Sequence, residues 1–276
     1  LTVTGVQTCA LPISSIDTVQ EDDFTPLQGA PVSDPCGFIK NHLHFNYTND
    51  PKESHRLAAY HGTTCLSFIY DGGIVVAVDS RASGGSFIFS GTVMKIIKIA
   101  DNMIGTMAGG AADCQYWLRY LSSEIRLHKF KYQQPMTVAA ASKILVNQIY
   151  RYKGYGLSIG SMICGYDNTG PHIFYVDNDG SRIAGNRFSV GSGSTYAYGV
   201  LDTDWHSDMT KEEAIALGRK AIYHATFRDS GSGGRVTVVH ITKDGAEQFD
   251  PVDVNDLHNF DKKSERSEER RVGKEC

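Results

Sequence analysis

No apolar run in this chain approaches the roughly 20 residues that a membrane-spanning helix needs. Basic residues are not in excess either: 27 Lys and Arg stand against 31 Asp and Glu, a formal net charge of -4. The chain therefore carries no general positive field for a phosphate backbone. Membrane and nucleic-acid partners are not expected. Closely spaced cysteines are also missing: the six lie at 9, 36, 65, 114, 164 and 276, so there is no C-x-x-C pair and no metal-ligand spacing. Cys65, Cys114 and Cys164 sit inside apolar segments, where a free thiol behaves as a small hydrophobe, and this usage suits a reducing compartment. No solenoid-length repeat is present. The glycine runs "GSGS" and "GSGG" lack the following Lys-Ser/Thr pair of a phosphate-binding loop. No cofactor or metal is expected.

What is present is an ordinary globular composition: 276 residues, 41% hydrophobic and 21% charged, enough for one full core or two. The ends differ from the middle. The chain opens on Leu1, and "LTVTGVQTCALPIS" has neither the basic start nor the sustained apolar centre of a signal peptide. The final stretch from Arg266, "RSEERRVGKEC", mixes both charge signs without helical spacing. Both stretches resemble translated library adapters, and residues 1–14 and 266–276 are set aside on that expectation. Residues 15–62, broken by Pro26, Pro31, Pro35 and Pro51, read as a leader or linker.

From Thr63 the pattern sharpens. "TTCLSFIY" and "GIVVAVDS", separated by "DGG", predict a hairpin, and a second strand pair is expected around "SFIFSG" and "VMKIIKIA". Ala111, Cys114, Trp117 or Leu118, Leu121 and Ile125 recur at helical spacing; Val138, Ala141, Leu145 and Ile149 mark a second helix from Thr137 to about Tyr152. Strands return with "SIGSMICGY", "HIFYVD" and "SRIAGNRFSV". A third helix starts at Thr210, whose spacing to Glu213 is that of a capping box, and "RVTVVHITKDGAEQF" predicts a closing hairpin. Strands, two helices, strands, helix, strands is an order that favours antiparallel α+β over repeated βαβ units.

Four polar features interrupt these segments. "HGTTCLSF" puts Gly62 and Thr63 at the mouth of the first strand; "VDSRASGG" puts Asp79 at a strand end; "TVMKIIK" sets Lys95 in apolar surroundings; "GTMAGGAADC" puts Gly109 just before a helix. Singly, each has a bland account as turn, edge charge or tight packing. In this order, with "VAAASK", "YKGYGLS", "SMICGYD", "FSVGSGS" followed by "YAYGV", and "AIYHATFRD", they resemble the proteasome β-subunits, members of the N-terminal-nucleophile hydrolases. The resemblance runs from about Gly62 to Phe260 and is nearest to the members with chymotrypsin-like activity.

The resemblance implies a four-layer αββα sandwich over residues 63–262, a threonine endopeptidase, and a leader cut between Gly62 and Thr63. It implies catalytic roles for Thr63 as nucleophile, for Lys95 and Asp79 beside it, for the Gly109 N–H at the oxyanion, and for Ser192, Asp229 and Ser232 around the new amine. A threonine hydroxyl needs an adjacent base, and a freed α-amine, with a pKa of about 7.7–8.0 in model peptides, supplies one on the same residue. Ala82, Ser83, Val93, Ile97, Met107, Ala111 and Cys114 match substrate-binding positions, and their uncharged character favours a bulky hydrophobic residue before the scissile bond. Implied partners are the other α- and β-subunits of a stacked-ring barrel and unfolded polypeptide substrates; implied locations are cytoplasm and nucleus. Three departures stand out: Gly231 in "RDSGSGG" where the family has tyrosine in "RDAYSGG", Ser83 where it has threonine, and Cys65 in place of a third threonine. The rival reading is a non-catalytic ring component of the same fold.

Overall fold

The computed structural model describes residues 62–84 and 87–258; the expected leader of residues 15–62, apart from Gly62, and both terminal stretches lie outside the described residues. β1 (Cys65–Tyr70) and β2 (Gly73–Val78) form the expected hairpin around Asp71 and Gly72. Next come β3 (Ala82–Gly84), β4 (Phe87–Ser90), β5 (Ile96–Ala100), β6 (Met103–Thr106) and β7 (Ala108–Gly109). The expected pairing of "SFIFSG" with "VMKIIKIA" is not formed. β4 pairs with β3 and β5 with β6, because the turn at Asp101 and Asn102 closes a tighter local hairpin for β5.

Two helices follow, α1 (Ala111–Tyr132) and α2 (Val138–Tyr150). The side chains that α1 buries are Cys114, Trp117, Leu118, Leu121 and Ile125, the stripe read from the sequence. Thr137 caps α2, its hydroxyl accepting from the Ala140 N–H. β8 (Ile159–Asp167), β9 (Gly170–Asp177), β10 (Arg182–Ala184) and β11 (Arg187–Val190) lead to α3 (Ser194–Asp204), a helix the sequence pattern did not announce. It buries only Ala197 and Leu201, so its apolar stripe is too short to read as a period. α4 (Lys211–Arg228) begins at the capping box of Thr210 and Glu213, and β12 (Arg235–Thr242), β13 (Gly245–Gln248) and β14 (Val252–Asp253) complete the described chain.

Among the described residues all strand pairs are antiparallel, in two six-stranded sheets and a separate two-stranded pair of β3 and β4. One is ordered β11-β1-β2-β12-β13 with β14 beside β12; the other is β10-β9-β8-β6-β5 with β7 beside β8. Alternation along the strands then assigns three cores. Cys65, Ile74, Val76 and Val78 of the first sheet meet Ile96, Ile104, Met162 and Cys164 of the second. The intervening residues Leu66, Phe68, Val75 and Ala77 face Ala197 and Leu201 of α3 and Ala214, Leu217 and Ala221 of α4. On the far side, Met103, Ile163, Phe174 and Val176 pack under α1 and α2. Three apolar layers between four layers of elements make the αββα sandwich.

Candidate active site

The β1–β2 register builds the centre. Cys65 stands opposite Val78, so the residues just outside this pair, Thr64 and Asp79, also meet. The Asp79 N–H donates to the Thr64 carbonyl (3.1 Å), and the Thr64 N–H donates to Asp79 Oδ1 (2.9 Å). Lys95 comes from the other sheet, immediately before β5, its carbonyl held by the Met107 N–H at 2.9 Å. Its ammonium donates to Asp79 Oδ1 at 2.6 Å and to Thr63 Oγ1 at 3.0 Å. All three side chains are buried: Thr63 is 6% exposed, Asp79 0% and Lys95 4%.

Two buried charges cost several kcal/mol each to desolvate, so the pair persists only with its remaining valences filled. They are: Asp79 also accepts from the Arg81 N–H (3.2 Å) and the Gly233 N–H (3.0 Å). The Thr63 hydroxyl donates to the Gly62 carbonyl at 2.6 Å, and Lys95 Nζ lies 3.5 Å from that same oxygen. The nucleophile candidate, its preceding carbonyl and a cation thus converge.

A second polar group flanks the Thr63 nitrogen. The Thr63 N–H donates to Ser192 Oγ at 3.1 Å, and Ser192 Oγ and Ser232 Oγ each donate to Asp229 Oδ2 at 2.6 Å. Ser192 precedes α3 and Asp229 is the C-cap of α4, so helix ends deliver residues that lie 129 and more positions from Thr63 in sequence. Thr64, which the sequence reading passed over, shares 2.7 Å with Ser232 Oγ. The signal was there: in an extended chain, the residue after Thr63 presents the opposite face. Arg81 was missed as well; its guanidinium donates to the Ser230 carbonyl at 3.0 Å and steadies that loop.

A cleft of about 40 Å³ beside Thr63 is lined by Ala82, Ser83, Val93, Met107, Gly109 and Ala111 together with Lys95 and Arg81. Gly109 has φ +99, and a Cβ there would come within 2.6 Å of the Ser158 carbonyl oxygen, so only glycine fits. Ile97 and Cys114 do not line this cleft: Ile97 packs against the core under α1 and α2, and Cys114 is buried within it, its thiol donating to the Ala108 carbonyl. A larger cavity, about 560 Å³, includes Ile69, Tyr70, Tyr166 and Lys243 but none of the residues above. Burial pushes the Cys114 thiol up to about 11 and the Cys164 thiol up to about 12, and raises Cys65 further, so these sulfurs are poor nucleophiles at neutral pH. Among the described residues no group of three or more His, Cys, Asp or Glu is arranged to hold a metal, and no helix is long and apolar enough to cross a membrane.

Comparison with known proteins identifies the family of the chain. The proteasome subunit family model matches residues 59–241. A proteasome subunit beta type-5 of Dictyostelium discoideum is 51% identical over 228 residues, 83% of this chain and 82% of that protein. The beta type-5 subunit of Spinacia oleracea is 56% identical over 197 residues, covering 71% and 72%. The human beta type-8 subunit is 49% identical over 223 residues, 81% of each. The chain belongs to the proteasome subunit family, and its likeness there is to the beta type-5 and type-8 subunits.

Proposed function

We propose that the chain is a threonine endopeptidase of the proteasome core, with Thr63 as nucleophile, and that it frees itself from its leader by cutting between Gly62 and Thr63. The observation that carries this reading is the convergence on one hydroxyl: Thr63 Oγ1 is 2.6 Å from the Gly62 oxygen and 3.0 Å from a lysine that is itself 2.6 Å from a buried carboxylate.

In the uncut chain the Thr63 nitrogen is an amide and has no basic lone pair, so the leader withholds the base. Thr63 Oγ1 bonds to the Gly62 carbonyl carbon as its proton passes to solvent. Negative charge moves onto the carbonyl oxygen, toward the Lys95 ammonium. The carbon–nitrogen bond then breaks, the nitrogen takes a proton, and the Gly62 ester that remains is hydrolysed by water. The leader departs as a carboxylate and Thr63 gains an α-amine.

That amine serves the second reaction. It accepts the Oγ1 proton as Oγ1 attacks a substrate carbonyl, and returns a proton to the leaving nitrogen; water then releases the acyl group. Ser192, hydrogen-bonded to Asp229, holds the amine with a lone pair toward it. The Gly109 N–H is the oxyanion donor of this reading, a contribution of about 2.7–4 kcal/mol for one donor in other hydrolases. Ala82, Val93, Met107 and Ala111 give the cleft an uncharged wall, which supports cleavage after large hydrophobic residues, with Ile97 and Cys114 behind it. The chain works with other proteasome subunits in a stacked-ring barrel on unfolded polypeptides, in cytoplasm and nucleus.

The test is Thr63→Ala in assembled particles. The leader should stay attached, and turnover of hydrophobic test peptides at this subunit should fall by about 10³-fold or more, as when other hydrolases lose their nucleophile. Unchanged turnover contradicts the reading.

A further inference from the structure

One close approach of two backbone segments at the site involves neither the nucleophile nor its lysine. A Cβ built on Gly62 would lie 2.1 Å from Gly231 Cα and 2.2 Å from the Gly231 oxygen. Conversely, a Cβ on Gly231 would lie 2.5 Å from Gly62 Cα. Each glycine occupies the space where the other's side chain would stand.

Both segments are tethered where they stand. Gly62 is fixed by its N–H to Ser83 Oγ (3.2 Å) and by its carbonyl, which accepts from Thr63 Oγ1. The loop carrying Gly231 is tied at each neighbour. The Gly231 N–H donates to Asp229 Oδ1 (3.1 Å), the Ser232 N–H to the Asp229 carbonyl (3.1 Å), Arg81 to the Ser230 carbonyl, and the Gly233 N–H to Asp79. Asp79 in turn carries Lys95.

We propose that Gly231 is a positioning residue for leader removal: the uncut Gly62–Thr63 junction seats beside Thr63 Oγ1 because residue 231 has no side chain. This rests on the self-cleavage reading of Thr63 and adds a requirement to it. Relaxing 2.5 Å to an ordinary carbon–carbon contact of about 3.5–4.0 Å moves Gly62 by about 1 Å or more. Its carbonyl carbon moves with it, away from Thr63 Oγ1. A misplacement of about 1 Å costs on the order of 100-fold in rate. Once the leader leaves, Gly62 leaves too, and the obstacle to a methyl group at 231 is gone: its remaining neighbours, Asp229 Oδ1 and Ser192 Oγ, are at an ordinary 3.4 Å. A chain with tyrosine here, as in "RDAYSGG", has to seat its junction differently.

The experiment follows pulse-labelled full-length chain into assembled particles and measures conversion at the 62/63 junction by intact mass, for the natural sequence and for Gly231→Ala. A second pair of chains carries ubiquitin in place of the leader, so that cellular processing exposes Thr63 without self-cleavage. The expected result is conversion slowed about 100-fold in Gly231→Ala, with uncut chain in finished particles. The pre-exposed Gly231→Ala chain should turn over test peptide within about twofold of the pre-exposed natural chain, an outcome that general damage to the site would not give. Conversion of Gly231→Ala at the natural rate overturns the proposal, and so does equal loss of turnover in the pre-exposed variant. If the natural chain itself is never cut, the Thr63 reading fails and this inference falls with it.

Discussion

Asp79 has no exposed surface and yet accepts from Lys95 and from three backbone N–H groups, those of Thr64, Arg81 and Gly233. Removing one member of such a buried pair leaves the other charge uncompensated, at about 3–5 kcal/mol. Asp79→Ala should therefore lower unfolding free energy by about 3–5 kcal/mol and abolish turnover, while Asp79→Ala with Lys95→Met should cost less stability than the two single changes summed. Denaturant melts of the four chains check this; strict additivity contradicts the pairing. The two residues were legible through the order of motifs that carries the family resemblance, since an aspartate at a strand end and a lysine in an apolar run each have a bland account alone. Their mutual distance was not. It depends on a sheet-to-sheet approach between β2 and β5 that no local pattern encodes.

At the scale of elements, the legible parts were those whose signal is local. The β1–β2 hairpin has its two-residue turn, α1 its five-residue stripe and α4 its capping box, with the Thr210 hydroxyl accepting from the Glu213 N–H at 3.2 Å and Glu213 accepting from the Thr210 N–H at 2.8 Å. Thr210→Ala removes half of that box and should cost about 1 kcal/mol of stability, leaving peptide turnover per folded chain unchanged because α4 meets the site only at its other end, through Asp229. Thermal unfolding and an activity assay on the same sample decide it; an unchanged melting temperature contradicts the cap. Non-local pairing was not legible. β4 and β5 look like partners in sequence but find β3 and β6, and α3 carries too few buried side chains to be heard above its loops. The same limit separates the pocket positions: Cys114 lies on the buried stripe of α1, whereas Ala111, one turn earlier, opens onto the cleft.

For the whole molecule, three apolar layers hold the sheets at a fixed spacing, and the site sits where strand ends from both sheets meet two helix ends. A buried histidine on β12 ties the first sheet to its own hairpin turn: His240 Nε2 lies 2.8 Å from the Tyr70 hydroxyl and 3.2 Å from the Gly72 carbonyl. Burial, aided by Lys211 and opposed by Gly72 and Glu247, pushes its imidazole below the ordinary 6.5. The unfolded chain therefore binds the proton more readily, and stability present above pH 6.5 is lost as pH falls from there through the lower folded value. Melting temperature should fall as pH drops from 7.5 to 5.5, and His240→Gln should flatten that slope; an unchanged slope contradicts a neutral buried ring.

The account as a whole depends on one residue becoming both nucleophile and base. A peptide epoxyketone reacts with a hydroxyl through its ketone and with an amine through its epoxide, so it reports both groups at once. Native particles treated with such a reagent and measured by mass spectrometry should contain this subunit beginning at Thr63, with a ring-closed adduct joined to that residue's oxygen and nitrogen. Particles in which the subunit still carries its leader, yet cleaves hydrophobic test peptides at this site, would contradict the account.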